Sequence, residues 1–357
     1  MILMRFRNTT IFLTVIFLTV ITGNISAQEQ SDDEQIDAPI YFINFQLLPG
    51  MNLFGIPFKK TTDIFLIAPT VGIGYNLKGF GSASIGLINT GIVHGVQLSG
   101  IFNFANAGLS GLQTASIFNV AKDGVRGVQI AGISNYASGT FAGLQVSGFI
   151  NRIEGDVWGL QLAPINRRGE GGGIGVQVGL LNFSESGNVI PIGLVNKMKN
   201  GMEHFWVYTD DMLFLNAGYR SGSKIFYTHS NIGVGGGLLS GKDEDKLVVN
   251  RGGFGFEFPL SKFFIDIDIS TGNIFKVDEV KDFWQFFFGT NTGIYQIRVI
   301  VGYKTHERMG IFAGISYDYI QQNKDTDPSP EKFAGSAIGK SNDGKTHKMG
   351  LFGGLQF

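Results

Sequence analysis

Small, aliphatic and amide residues return in a fixed order every 16 residues through the middle of the chain. Each copy begins with a glycine, has a glutamine two residues later and an asparagine six residues after the glutamine. The glycines and glutamines are Gly95, Gly111, Gly127, Gly143, Gly159 and Gly175, and Gln97, Gln113, Gln129, Gln145, Gln161 and Gln177. The asparagines are Asn103, Asn119, Asn135 and Asn151, then Asn166 and Asn182 after a slip of one residue. A fixed period of this length indicates repeated structural units.

The pattern inside one copy favours strands over helices. In the copy from 127, the residues of one parity are Gly127, Gln129, Ala131, Ile133 and Asn135. Alternate residues line one face of a strand, whereas residues two apart on a helix do not face the same way. Turn-forming residues separate the copies at 122–124, 138–140, 154–156 and 185–187. We therefore predict that each copy is about one long strand and one tight turn.

A plainer alternation replaces the repeat after Asn196. Segments 262–270, 295–304 and 309–319 alternate apolar with polar residues, and tyrosines gather near the strand ends. Alternating segments of about ten residues with aromatic girdles are typical of a transmembrane β-barrel. The charged positions opposite the apolar face, which we expect to face the barrel lumen, are Lys262, Asp266, Asp268, Arg298, Lys304 and Asp318. A soluble β-sandwich also alternates, so alternation does not decide between the two.

Charge and composition favour the barrel. Only 16% of the residues are charged, against about 25% in soluble domains. Between Lys78 and Lys122 the chain has no Asp, Glu, Lys or Arg, and His94 is the one titratable residue. Strands can cross a bilayer with about 9–11 residues each, provided that their backbone groups pair with neighbours. The leading prediction is an all-β chain whose residues 39–357 form a single transmembrane antiparallel β-barrel of roughly 16–20 strands.

A second architecture stays open for the repeats at about 79–196. Parallel coils of 16 residues can stack as a β-solenoid, with Gln above Gln and Asn above Asn in amide ladders. The chain is then a β-solenoid joined to a smaller barrel. Neither face of the repeat is clearly polar, because the Gln and Asn face also carries Ile117, Ile133 and Phe149. The lumen and lipid sides are therefore not assigned in this region.

The first 27 residues have the pattern of a secretory signal peptide. Arg5 and Arg7 precede an apolar stretch at 9–23, and small residues come before Gln28. A membrane anchor is the alternative, but a spanning helix needs about 20 apolar residues. We expect cleavage after Ala27, followed by a flexible acidic leader at 28–38.

The C-terminal segment supports an outer-membrane location. Counted back from the end, its alternate residues are Phe357, Leu355, Gly353, Leu351 and Met349. This segment resembles the closing strand of bacterial outer-membrane β-barrel proteins, which ends in an aromatic residue, usually Phe. The resemblance implies that Phe357, Leu355 and Leu351 form a signal read by the barrel-assembly machinery. It also implies contact with outer-membrane lipid in a Gram-negative-type bacterium. The 16-residue units look like those of bacterial surface-repeat outer-membrane proteins.

We expect a structural or pore-forming surface protein whose substrate the sequence does not name. The alternative is an adhesin that binds an extracellular ligand through the loop at 321–346. A lipid-cleaving barrel enzyme has a single hint, His229 beside Ser230, and we predict that the chain is not an enzyme.

Other chemistries find little support in the sequence. A formal net charge of −1 argues against a nucleic-acid partner, which favours a basic surface. The chain has no cysteine, and its five histidines lack metal-ligand spacing. The glycine-rich stretches at 171–179 and 233–237 lack the βαβ context of a phosphate loop. We therefore predict no catalytic residue, no metal and no cofactor.

Overall fold

The computed structural model describes residues 40–49, 51, 60–186, 188–235, 247–276, 292–306, 309–322, 337–341 and 345–357. Its regular elements in those ranges are all β-strands. They form a parallel β-solenoid followed by an antiparallel barrel. Within these ranges, no helix has the length and apolar character that crossing a membrane requires. The predicted signal peptide at 1–27 and leader at 28–38 lie outside the described residues.

The solenoid has two sheets, and each coil from β2 onward gives one strand to each of them. The first sheet has the order β1-β2-β4-β6-β8-β10-β12-β14-β16-β18, and the second has the order β19-β17-β15-β13-β11-β9-β7-β5-β3. The strands are β1 (Ile40–Phe45), β2 (Thr62–Ala68), β3 (Val71–Gly74), β4 (Asn76–Ala83), β5 (Gly86–Asn89), β6 (Val93–Ser99), β7 (Phe102–Ala105), β8 (Leu109–Ala115), β9 (Phe118–Ala121), β10 (Val125–Ala131), β11 (Ser134–Ser138), β12 (Phe141–Ser147), β13 (Ile150–Glu154), β14 (Val157–Leu162), β15 (Ile165–Arg168), β16 (Gly175–Val178), β17 (Leu181–Ser184), β18 (Val189–Ile192) and β19 (Val195–Met198).

Equivalent residues of successive coils lie side by side in parallel register. Gln113 pairs with Gln97 on one side and with Gln129 on the other. The alternative prediction of a β-solenoid joined to a smaller barrel is thus confirmed. The single antiparallel barrel of 16–20 strands is wrong, because the repeat strands pair in parallel with the next coil instead of forming hairpins.

One repeat unit contains two short strands, not the single long strand that alternation predicted. The chain bends at Gly132 and Ile133, between β10 and β11. Gln129 and Asn135 are both buried, whereas Ile133 between them is exposed. The bend therefore turns Ile133 outward, although residues of the same parity face inward on both sides of it, and this explains why neither face of the repeat looked polar.

The first glycine of each unit lets neighbouring coils approach closely. Gly127 has a φ of 146°, which disfavours residues with a side chain. A Cβ atom added there would lie 1.9 Å from the carbonyl oxygen of Gly111, one coil away. Gly95, Gly111 and Gly143 show the same approach. The glycine column is thus a requirement of coil stacking.

Two ladders of side-chain amides run through the solenoid interior. In the glutamine ladder each Nε2 donates to the Oε1 of the preceding coil, as from Gln129 to Gln113 at 2.8 Å. In the asparagine ladder each Nδ2 donates to the Oδ1 of the following coil, as from Asn119 to Asn135 at 2.9 Å. The two rows of amide dipoles therefore point in opposite directions. An apolar cluster that includes the fully buried Phe141 fills much of the remaining interior, and Asp63 and Arg168 are also buried.

Eight strands of the C-terminal half close into the barrel. Consecutive strands pair antiparallel, with β26 beside β28, and β20 pairs with β28 to complete the circle. The strand β27 pairs with β28 as an additional hairpin. The strands are β20 (Met202–Asp210), β21 (Leu215–Gly222), β22 (Phe226–Val234), β23 (Leu247–Leu260), β24 (Phe263–Lys276), β25 (Thr292–His306), β26 (Met309–Gln322), β27 (Ala337–Ser341) and β28 (Lys345–Gln356).

The two ends of the barrel differ in the length of their links. At one end lie the short links 223–225, 261–262 and 307–308, together with the start of β20 and the end of β28. There, Phe205 and Phe357 exchange backbone hydrogen bonds of 3.1 and 2.8 Å. The other end has the short link 211–214, the long links 235–246 and 277–291, and the segment 323–344, which contains β27. The solenoid enters the barrel at β20 and therefore joins the end with short links.

Candidate functional site

The barrel interior is formed by the inward half of each alternating strand. In β24, Phe264, Asp266 and Asp268 are buried, while Phe263 before them and Ile267 among them are exposed. Strand alternation places successive side chains on opposite sides of the wall. Ionic groups therefore collect inside the barrel and apolar groups outside it, the reverse of a water-soluble domain.

Arg298 occupies the middle of this interior. Its Nε and Nη2 donate to the two carboxylate oxygens of Asp268 at 2.8 and 2.9 Å. Its Nη1 donates to the hydroxyl of Tyr208 at 3.0 Å, and the guanidinium lies 4.6 Å from the ring centre of Trp206. A fork of two parallel bonds to one carboxylate is among the stronger ion-pair geometries. This arginine is therefore held on several sides.

A second network surrounds Arg220. Its Nη1 donates to Asp266 at 2.5 Å, and its Nη2 donates to Gln356 at 2.5 Å and to Glu257 at 3.3 Å. The other oxygen of Glu257 accepts from Lys304 Nζ at 2.7 Å. The side chain of Arg220 thus links its own strand, β21, to β23, β24 and β28.

A third network surrounds Arg251 near the end with long links. Its Nη1 donates to Gln296 at 3.0 Å, and its Nη2 donates to Asn216 at 2.9 Å and to Asp210 at 3.2 Å. Gln296 in turn donates to Asp318 at 2.6 Å. All three interior arginines therefore have a carboxylate and at least one neutral acceptor.

These contacts cross the barrel. Tyr208 on β20 and Arg298 on β25 are three strands apart by the shorter way around the wall. Buried aromatic residues fill the space beside them: Trp206, Tyr208, Phe264, Phe312 and Phe352. An eight-stranded barrel is just wide enough for side chains to fill it. The described side chains therefore pack the interior instead of lining an open channel.

The sequence-predicted lumen residues lie in three places. Asp266, Asp268, Arg298 and Asp318 are buried inside the barrel. Lys304 is partly exposed beside Glu257. Lys262 is exposed in the turn between β23 and β24, because the strand ends before it.

Sequence reasoning missed Arg220, Arg251 and Glu257. Arg251 and Glu257 have the same parity in β23, with Gly253 and Gly255 between them. That alternation was a usable signal. Arg220 had no comparable signal, since β21 is rich in small and polar residues.

The outer wall of the barrel is an apolar band. The three residues of the predicted assembly signal, Phe357, Leu355 and Leu351, are exposed on this wall. Other exposed apolar residues on it are Phe205, Val207, Ile232, Phe254, Phe256, Phe258, Ile267, Ile269, Ile297, Val299, Val301, Ile311 and Ile315. Patches of this extent on a protein surface mark contact with a membrane or another protein.

The described residues do not form a site for either alternative function, ligand binding by the loop at 321–346 or lipid cleavage by Ser230 and His229. Of the loop at 321–346, residues 323–336 and 342–344 lie outside the described residues, so ligand binding there stays a prediction. Ser230 is exposed on the outer wall, whereas neighbouring His229 is buried inside. The two side chains thus lie on opposite sides of β22. Across the described ranges, no group of three or more His, Asp or Glu residues could hold a metal ion.

The solenoid is hydrogen-bonded to the barrel at its last coil. The asparagine ladder ends at Asn196, whose Nδ2 donates to Thr228 Oγ1 at 2.5 Å and to the Ser221 carbonyl at 3.3 Å. The hydroxyl of Thr228 donates to the Gly193 carbonyl at 2.6 Å. The ladder therefore continues into the hairpin of β21 and β22.

Comparison with known proteins adds no relative, since no family model, no curated protein and no solved structure matches this chain. The structure itself therefore defines the class of the protein, which is an all-β chain with a parallel β-solenoid and an eight-stranded barrel.

Proposed function

We propose that this chain is a structural outer-membrane protein whose closed barrel anchors the solenoid to the membrane. The observation that carries the proposal is the reversed distribution of side chains in the barrel, with paired ions inside and an apolar band outside. Hydrocarbon tolerates strands when they form a closed barrel, because every backbone group can pair with a neighbouring strand. The pairing of β20 with β28 supplies that closure.

The packed interior favours an anchor over a pore. Arg220, Arg251 and Arg298 contact residues on distant strands, so ions have no free path past the described side chains. The assembly signal at Phe357 and export by the signal peptide belong to the same proposal.

The barrel ends suggest an orientation. Outer-membrane barrels have short turns on the periplasmic side and longer loops outside. On that rule the end with links 223–225, 261–262 and 307–308 faces the periplasm, and so does the solenoid that joins it.

Cell fractionation and a gel-shift assay test the location. We expect the mature protein in the outer-membrane fraction, with faster migration before boiling than after. Recovery as a monodisperse protein without detergent would rule out the proposal.

Planar-bilayer recording tests the closed barrel. We expect no conductance steps from the purified wild-type protein. Steady single-channel steps would contradict a closed anchor and indicate a pore. The double variant Arg298→Ala with Arg220→Ala, which removes two residues that cross the interior, is the matched comparison.

A further inference from the structure

One edge of the solenoid exposes a continuous apolar column. It consists of one bend residue from each coil: Ile85, Ile101, Ile117, Ile133, Phe149, Pro164, Leu180 and Leu194. Backbone hydrogen bonds stack them, as from Ile117 N to Ile101 O and from Ile133 N to Ile117 O, both at 3.0 Å. Six of the eight are exposed, from 38% at Ile85 and Ile101 to 64% at Leu194, while Ile117 and Pro164 are half-buried. We call this column the apolar edge.

Both sheets add apolar residues beside the apolar edge. In the first sheet these outward residues are Leu98, Ile130, Val146, Leu162, Val178 and Ile192, and in the second they are Phe102, Phe118, Ile150, Ile165, Leu181 and Val195. All of them are exposed or half-buried. The remaining coils have Ser82 and Thr114 at these positions in the first sheet, and Gly86 and Ser134 in the second. The apolar edge is therefore the centre of a broad strip about eight coils long, or roughly 34 Å at about 4.8 Å per coil.

The opposite edge of the same coils carries charged residues, although Ile92 and Ile174 are also exposed there. Its residues include Lys122, Asp123, Glu154, Asp156, Glu170, Glu185 and Lys199. Lys199 and Glu170 pair there at 2.9 Å while both are exposed. The hydrogen bond and charge of Glu170 raise the pKa of Lys199, and Lys199 lowers the pKa of Glu170. The backbone at both edges is a stacked turn, so coil stacking alone does not require the apolar edge to be apolar.

The solenoid core does not need the apolar edge either. Directly inside it lie the fully buried amides, such as Gln129 and Asn135. The apolar core, with Phe141 and Leu109, lies on the side of the charged edge. At the apolar edge the coil thus has polar groups inside and apolar groups outside, as the barrel does.

The apolar edge runs into the outer wall of the barrel. Leu180, Ile192 and Leu194 form one groove with Gly253 and Phe254 of β23. Leu194 also lines a groove with Phe205, Val207 and Ile232 on the wall. The two apolar surfaces are therefore continuous, and this continuity selects lipid over a separate protein partner.

We propose that the apolar edge lies in the leaflet of the outer membrane that faces the solenoid, with the charged edge in water. The inference rests on the proposed function, because it extends the lipid contact of the barrel to the solenoid. The solenoid then lies along the membrane surface instead of projecting away from it.

Site-specific labelling tests this, since the chain has no cysteine and each introduced one is unique. The protein is refolded into phosphatidylethanolamine and phosphatidylglycerol vesicles, with an environment-sensitive fluorophore at one position. Ile133→Cys and Phe149→Cys report on the apolar edge. Ser138→Cys and Glu154→Cys are matched controls from the same coils. Val299→Cys reports on the barrel wall, and a gel shift confirms folding of each variant.

Lipid-borne bromine and aqueous iodide serve as quenchers. We expect bromolipid to quench the labels at 133, 149 and 299 at least threefold more than those at 138 and 154, and iodide to show the reverse order. If bromolipid quenches the label at 299 but iodide quenches the labels at 133 and 149 as strongly as those at 138 and 154, the inference is wrong while the proposed function stands. The inference also fails if both quenchers spare 133 and 149, which would indicate that a second copy of the chain covers the apolar edge. Iodide quenching at 299 would instead reject the proposed function.

Discussion

The solenoid and the barrel both bury polar side chains in their interiors, but the hydrogen-bond partners of those side chains are arranged in different ways. In the solenoid each amide bonds to the same residue type one coil away, as Gln129 does with Gln113. In the barrel each arginine has its own set of partners on distant strands, as Arg220 has with Asp266 and Gln356. Because the solenoid bonds repeat locally, a single substitution there should disturb only the neighbouring coils. Because the barrel bonds join distant strands, a single substitution there should destabilise the whole barrel.

The largest expected effect comes from breaking one ion pair in the barrel. Arg298→Met leaves the buried carboxylate of Asp268 without its main partner, and a broken buried pair costs about 3–5 kcal/mol. Urea unfolding in detergent micelles, followed by tryptophan fluorescence, measures the loss. The double variant Arg298→Met with Asp268→Asn should recover part of it. A loss below about 1 kcal/mol would show that the pair is not essential to the barrel.

The next effect tests coil stacking. Gly127→Ala places a methyl group against the Gly111 carbonyl and forces alanine into an unfavourable φ. We expect a loss of about 1–3 kcal/mol from the strained backbone, measured by thermal unfolding followed by circular dichroism. Thr140→Ala, at an exposed turn in the same coil, is the control and should change little. Equal stability of both variants would contradict the close approach of the coils.

A smaller effect separates the middle of an amide ladder from its end. Gln129→Leu leaves its partners on both sides unpaired, at a cost of about 1–3 kcal/mol. Gln177→Leu should cost less, because Gln177 donates to Gln161 while its Oε1 has no partner among the described residues. Chemical unfolding of the two variants compares them. Equal losses would mean that the ladder does not act as a chain of bonds.

The smallest effect is a pH dependence at the first coils of the solenoid. Burial raises the pKa of Asp63 to about 6 from 3.8, although Asn44 donates to its carboxylate. The folded state therefore holds this proton more tightly than the unfolded state does. The resulting stability is full below pH 3.8 and is lost as the pH rises to about 6.

Hydrogen exchange of amide groups in β2 and β4, measured between pH 4 and 7 in wild type and Asp63→Asn, checks this dependence. After correction for intrinsic exchange rates, protection should fall with rising pH in the wild type and stay flatter in the variant. Parallel pH curves for the two proteins would assign the dependence to another group.

The sequence predicts the barrel strands better than the coils. Alternation holds across the long strands β25 and β26, so parity alone places Arg298 and Asp318 inside. In the repeat, the bend turns Ile133 outward although Gln129 and Asn135 of the same parity face inward, and a count of alternate residues does not reveal a bend. Alternation also does not distinguish parallel from antiparallel pairing, which depends on partners 16 residues away.

The ionic network is only partly visible in the sequence. Lys262 belongs to the same alternation as Asp266, yet the strand β24 begins at Phe263 and the lysine lies in the turn. Arg220 finds its partners on β24 and β28, and no local pattern indicates contacts at that separation. Tertiary closure, not strand periodicity, decides which charges meet.

A scan of single spin labels along β25 tests the central claim most directly. Labels introduced at positions 295–301 are measured in vesicles for collision with oxygen, which concentrates in lipid, and with a water-soluble nickel complex. The account predicts high oxygen and low nickel accessibility at 295, 297, 299 and 301, with both low at 296, 298 and 300. High nickel accessibility at the odd positions would contradict it, because water would then cover the apolar wall.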